Sequence, residues 1–102
     1  MISEDFSKQL PKLRECLAKH PIEKAWLFGS YARGEETTES DIDLLVIYDK
    51  DACVSLFTVG HILCAVEKEM GRRVDFVEDS CLYDFAKKSV EKDKILIYER
   101  GN

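Results

Sequence analysis

The sequence predicts an α/β fold: a small mixed β-sheet flanked by helices, in a single domain over residues 1–102. Three observations predict it. Apolar residues recur at helical spacing in two stretches, Phe6-Leu10-Leu13-Leu17 and Leu56-Val59-Leu63-Val66-Met70. Short apolar runs of strand length lie between and after them, at residues 22–28, 41–48, 73–77 and 95–98. Helix and strand therefore alternate, and a chain of 102 residues holds one modest core.

The first apolar stripe contains Pro11, and proline is tolerated only in a first helical turn, so the regular helix is expected from about Lys8. His20-Pro21 ends it, and residues 22–28 form the first strand. Gly29 and Ser30 break the apolar pattern, a short helical turn follows, and Gly34 closes it. Residues 35–40 are an acidic, threonine-rich loop. The second strand opens with Asp41 and Asp43 and continues as Leu44-Leu45-Val46-Ile47, apolar on both faces as a covered central strand requires. Asp49 to Ala52 is a solvated turn. The second amphipathic helix ends at Gly71, a C-cap residue. Asp75 sits in the middle of the third strand, and Asp79 or Ser80 caps a third helix carrying Leu82, Phe85, Ala86 and Val90. A strand at the sheet edge, residues 95–98, and a polar tail complete the chain.

Composition excludes several functional classes. The chain is 45% hydrophobic and 34% charged with a net charge of −5, which argues against direct gripping of a nucleic-acid backbone. No apolar run approaches the roughly 20 residues of a membrane span, and the N-terminus lacks a secretory pattern, so a cytoplasmic protein is expected. Cys16, Cys53, Cys64 and Cys81 are scattered, and reduced, mostly buried thiols are expected rather than disulfides or a zinc site.

The chemistry concentrates between Trp26 and Ile47. Glycine lets a ligand approach the main chain closely, and the N–H groups after Gly29 and Ser30 open a helical turn that favours an anion such as phosphate. Asp41 and Asp43 are two apart in a strand, hence on one face and roughly 6–7 Å from each other. Like charges at 4 Å oppose each other by about 4 kcal/mol at an effective dielectric near 20. A hard cation resolves the conflict, and magnesium with a nucleotide phosphate is the common case. Asp75 interrupts an apolar strand, and a buried carboxylate without a partner is expensive. If the second and third strands are neighbours, Asp75 joins the pair. Three carboxylates around two metal ions form the clamp of phosphoryl and nucleotidyl transfer. In that arrangement Asp75 accepts the proton of the attacking hydroxyl, and the Gly29-Ser30 turn holds the phosphates.

Chance is the competing explanation, because Asp-x-Asp recurs as Asp49-Lys50-Asp51 in a chain with 20 acidic residues. Setting separates the two: only Asp41 and Asp43 stand between a Gly-Ser turn and an apolar strand. Arg33 is expected either on phosphate or in a loop-fixing ion pair with Glu35 or Glu36. Tyr31 and Trp26 are read as packing, His61 as a surface or core-edge residue, and Lys87, Lys88, Lys92 and Lys94 as a solvated face.

At these residues the sequence resembles the minimal nucleotidyltransferase family of the DNA polymerase beta superfamily. The pattern is Gly29-Ser30, ten intervening residues, Asp41-Ile42-Asp43, then Asp75 in Arg-Val-Asp-Phe-Val, and the likeness spans nearly the whole chain. The resemblance implies two magnesium ions on Asp41, Asp43 and Asp75, and nucleotidyl transfer, usually from ATP. It further implies an antitoxin partnered with a helical HEPN-type toxin, which some such antitoxins adenylylate on tyrosine. The departure from larger superfamily enzymes is size: no second domain binds an acceptor, so the acceptor comes from a partner, another subunit of a homo-oligomer, or solution. Two alternatives stand beside catalysis. One is an antitoxin that neutralises by binding alone, and the other is a magnesium–nucleotide sensor without turnover.

Overall fold

The computed structural model describes residues 2–78 and 92–100. Four strands form one sheet: β1 (Ile22–Phe28), β2 (Ile42–Tyr48), β3 (Val74–Glu78) and β4 (Ile95–Glu99), in the spatial order β3-β2-β1-β4. The pairs β1–β2 and β1–β4 are antiparallel, and β2–β3 is parallel, so the sheet is mixed. A parallel neighbour requires a crossover, and α4 (Leu56–Met70) supplies it. Asp41, expected to open the second strand, immediately precedes it.

One face of the sheet is sealed. Ile22, Ala25 and Leu27 of β1, and Ile42, Leu44 and Val46 of β2, pack with Leu10, Leu13 and Leu17 and with Ile62, Val66 and Met70 of α4. The other face carries the alternate residues, among them Trp26, Phe28, Asp43 and Leu45. Leu45 is also buried, which agrees with a central strand covered on both sides.

The helical layer differs from expectation in two ways. The first helix is broken: α1 (Glu4–Ser7) is separate from α2 (Leu10–Ala18), and Pro11 stands in the first turn of α2. The Ser3 side chain caps α1 by accepting from the Phe6 N–H at 3.2 Å. Phe6, Leu10, Leu13 and Leu17 are nonetheless all buried, so the stripe runs across the break. In α4 the buried positions are Ile62, Val66 and Met70, at i, i+4 and i+8, whereas Leu56 is 89% exposed. The sheet contact occupies the later turns of α4, and its first turn overhangs. Ser55 caps that turn by accepting from the Thr58 N–H, and Gly71 ends the helix in the left-handed region at φ 66.

The thiol expectation is corrected as well. Cys16 is buried, but Cys53 and Cys64 are exposed, and all three are free. Lys94 is not a simply solvated lysine: its Nζ lies 4.8 Å from the centroid of the Trp26 ring, a cation–π contact. The expected third helix, Cys81, Lys87 and Lys88 lie outside the described residues. Among the described residues no helix is long and apolar enough to cross a membrane.

Candidate functional site

Backbone hydrogen bonds set where the acidic residues stand. At the start of the parallel pair the Ile42 N–H donates to the Arg73 carbonyl at 2.9 Å. The Val74 N–H donates to Glu67 Oε2 at 3.0 Å, which ties the first residue of β3 to α4. These bonds fix the register, in which Ile42 pairs with Val74 and Asp43 with Asp75. Neighbouring strands lie about 4.8 Å apart, so two in-register carboxylates on one face are forced together. On its other side Asp43 pairs with Phe28, the last residue of β1.

Gly29 follows Phe28 with φ 74 and ψ −153, a backbone conformation that side chains other than hydrogen disfavour. A Cβ at this position would stand 2.4 Å from Asp43 Oδ2. The missing side chain is therefore what lets the Asp43 carboxylate lie against the main chain. From Gly29 the chain enters α3 (Ser30–Arg33), a single turn in which the Gly29 carbonyl accepts from the Ala32 and Arg33 N–H groups. Gly34 ends the turn in the left-handed region. Tyr31 anchors α3 in the core, with its ring centroid 4.6 Å from that of Phe6, as packing predicted.

The three aspartates are not equivalent. Asp41 and Asp43 are half-buried, while Asp75 is exposed. The desolvated carboxylate is thus Asp43, not Asp75, which corrects the expectation drawn from the apolar neighbours of Asp75. Burial pushes the Asp43 carboxyl up from 3.8 to about 6, and the charges of Asp75 and then Asp41 push the same way. Arg33 opposes them. Two carboxylates therefore act electrostatically on a third beside the Gly29 bend.

Arg33 takes the ion-pair alternative. Its Nε is 2.6 Å from Glu35 Oε1, and its Nη1 is 2.8 Å from Asp93 Oδ2. The Glu35 pairing was open in the sequence. Asp93 was not, because nothing marks a partner 60 positions away. Glu36 bonds elsewhere, accepting from Ser3 Oγ at 2.5 Å. Arg72 Nη1 donates to the Thr38 carbonyl at 2.8 Å and so holds the loop between α3 and β2. Glu67, Arg72 and Asp93 are the supporting residues that sequence reasoning missed. Arg72 and Asp93 act through contacts between distant segments, and Glu67 reaches the start of β3 around the end of α4; no local pattern records any of the three.

Among the described residues no three acidic, histidine or cysteine side chains are already arranged to hold a metal ion. By donor type, Asp41, Asp43 and Asp75 fit a hard divalent cation: all are carboxylates, and Asp43 is raised by burial first and by the charges of Asp75 and Asp41 second, a repulsion that a cation would relieve.

Comparison with known proteins finds relatives of this chain in sequence and in fold. Residues 11–102 match the family described as Polymerase beta, Nucleotidyltransferase. A Methanocaldococcus jannaschii protein, provisionally named a protein adenylyltransferase, is 35% identical over 88% of this chain and 99% of its own. Among solved structures, one provisionally described as a minimal nucleotidyltransferase is 29% identical, with TM-score 0.74 over 93% of this chain and 95% of that one. The fold also recurs in the complex of a tri-AMPylated Shewanella oneidensis HEPN toxin with an MNT antitoxin. That match has 16% identity and TM-score 0.67 over 92% of this chain and 72% of that one.

Proposed function

This chain belongs to the polymerase beta nucleotidyltransferase family, and from that premise we propose that it transfers AMP from ATP, with magnesium, to a HEPN-type partner protein. It acts in the cytoplasm as the antitoxin of a toxin–antitoxin pair. The observation that carries the reading is the in-register pairing of Asp43 with Asp75, with Asp41 beside them and the Gly29 main chain against the Asp43 carboxylate. Support for the acceptor comes from the AMPylated HEPN toxin in the Shewanella complex, and support for the donor from the adenylyltransferase name of the Methanocaldococcus relative.

Each residue has a role in this reading. The turn at Gly29 and Ser30 receives the triphosphate, because first-turn N–H groups lack intrahelical acceptors and aim at an anion. Arg33, one turn on, exchanges a carboxylate partner for a phosphate. Asp41, Asp43 and Asp75 would hold two magnesium ions, which supply charge neutralisation and activate the attacking hydroxyl. Asp75 takes the proton of that hydroxyl in this reading, and its exposure, the greatest of the three, supports the role. The acceptor oxygen bonds to the α-phosphorus, the α–β bridging bond breaks, and pyrophosphate leaves. No part of this scheme needs nucleic acid as a direct ligand.

The test is transfer of label from α-labelled ATP to a HEPN partner in the presence of magnesium. Wild type is expected to label the partner and Asp43→Asn to lose at least about 100-fold in rate, as removal of a charge-stabilising group does. An unlabelled partner, or label undiminished in the variant, rejects the proposal. Retained protection of cells by an Asp41→Asn, Asp43→Asn protein would assign neutralisation to binding alone.

A further inference from the structure

The longest stretch of this acidic chain without Asp, Glu, Lys or Arg runs from Ala52 to Val66, in a sequence that is 34% charged. It covers the approach to α4 and most of that helix. A helix buried on one side ordinarily carries charge on the other. The buried stripe of α4 is Ile62, Val66 and Met70. On the opposite side, at about 100° per residue, stand Phe57, Gly60 and Cys64. All three are exposed, Phe57 at 90%, and none is charged. His61 bounds this outer stripe on the α2 side, its ring centroid 6.1 Å from that of His20. Leu56 bounds it on the other, beside a groove of about 410 Å³ lined by Tyr48, Val59 and Phe76.

Gly60 is an independent mark on the same face. Glycine inside a helix costs stability relative to any residue with a Cβ except proline. Its φ is not positive, and a Cβ there would meet nothing within 4 Å, so the fold itself gives no reason for the missing side chain. The gap makes room for a neighbour that comes from outside the chain, because the distance between packed helices is set by the side chains at the contact.

We propose that the outer stripe of α4 is a two-fold interface, occupied by the antiparallel α4 of a second copy of this chain. The stripe is self-complementary about Gly60, as a two-fold contact requires: Phe57 stands three positions before it and Cys64 four after. Antiparallel pairing brings the two Gly60 positions together near the axis and sets Phe57 of each copy beside Cys64 of the other. Charge favours the same occupant. Two copies at −5 each repel, and here they meet along a face without like charges. Lys68 continues the stripe at one end and Asp51 precedes the helix at the other, both exposed, so antiparallel copies bring opposite charges together at both rims. Covering an aromatic side chain removes about 150–250 Å² from water. The smallest specific interfaces bury about 600 Å² per partner, of which Phe57 supplies roughly a third. Leu56 and its groove add apolar area, and the association belongs to the weak, micromolar class. The active sites stay open in such a dimer. Asp43 projects from the sheet face away from α4, and the C-terminal end of α4 leads into β3 and Asp75, so antiparallel helices point the two acidic clusters in opposite directions.

The experiment is sedimentation equilibrium of the whole chain from about 5 to 500 μM, a range that spans weak association. Reductant is present, so that exposed Cys53 and Cys64 form no bridges. The wild-type mass is expected to climb from 11.7 kDa towards twice that value. Phe57→Glu and Gly60→Glu, which each place two carboxylates in the contact, are expected to stay at 11.7 kDa throughout. Glutamate is the better helix former, so the Tm of dilute Gly60→Glu is expected to equal or exceed that of wild type, which excludes misfolding as the cause. A wild type that stays at 11.7 kDa overturns the inference, and so does a dimer that persists in both variants. If wild type is monomeric and Phe57→Glu loses binding to a HEPN-type protein, the face belongs to that partner and the inference fails. The reading of the acidic cluster is decided separately, by label transfer and its loss in Asp43→Asn. Phe57→Glu, assayed where wild type is monomeric, is expected to transfer label at the wild-type rate.

Discussion

Replacing Asp43 with asparagine in the metal-free protein is expected to stabilise the fold near neutral pH, and the gain is expected to vanish in acid. The folded carboxyl sits at about 6 against an ordinary 3.8, a rise of about 2.2. At 1.36 kcal/mol per unit that corresponds to ~3 kcal/mol held against the charged form. Asp43 is only half-buried, and solvent screening reduces the figure to about 1–2 kcal/mol. The sign follows from proton binding. Between pH 3.8 and about 6 the folded state holds a proton that the unfolded state has lost, so stability falls as pH rises through this window. Asparagine has no charge to strand, so the variant lacks this fall. Urea melts of both proteins in EDTA, from pH 4 to 8, measure the difference directly. The expected result is a variant more stable by about 1–2 kcal/mol at pH 7.5, or roughly 4–16 °C in Tm, and equal to wild type near pH 4. Addition of magnesium and ATP should then favour wild type, by about 1.4 kcal/mol at ten times Kd, and the variant less. A gain that is constant with pH, or a variant less stable at pH 7.5, would refute the claim that Asp43 is a strained charge.

Other changes test the supports of the site. Gly29→Ala places a Cβ against the Asp43 carboxylate and forces alanine to φ 74, so a loss of about 1–3 kcal/mol is expected in chemical denaturation, together with loss of transfer. Arg33→Ala removes two exposed ion pairs and should leave stability almost unchanged in chemical denaturation, while KM for ATP rises severalfold; an unchanged KM would remove Arg33 from the nucleotide site. Glu67→Ala strands the Val74 N–H and should cost about 1–3 kcal/mol and lower kcat by misplacing Asp75, with Glu67→Gln recovering most of the stability. Mapping by thiol-reactive label and mass spectrometry should find Cys53 and Cys64 modified in the native protein and Cys16 protected until unfolding, since burial raises the Cys16 thiol.

The strands were the legible part of the fold. Residues 22–28 are expected and observed as β1, and β2 begins one residue later than its expected start at Asp41. Both are apolar runs bounded by turn residues, and burial enforces the same limits. The break between α1 and α2 was not legible. Phe6 and Leu10 are four apart, a spacing that one continuous helix and two helices meeting at a turn satisfy equally. Leu56 misled for a related reason. Periodicity assigns a residue to a helix face, but it does not say how far along that helix the sheet extends.

The site shows the same division between what spacing encodes and what assembly decides. A Gly-Ser turn and an Asp-x-Asp pair ten residues apart are local facts, and they identified the acidic cluster without coordinates. Which carboxylate bears the electrostatic load is a tertiary fact. Asp75 lies between Val74 and Phe76 and reads as the buried one, yet it is on an edge strand and faces solvent. Asp43 belongs to a strand paired on both sides, with Phe28 on one flank and Asp75 on the other, and the glycine main chain closes over it. A central strand cannot move one residue away from its charge without breaking two ladders. The fold therefore holds Asp43 in a position that its charge disfavours. A proton, a neutral side chain or a cation would relieve what Arg33 leaves uncompensated.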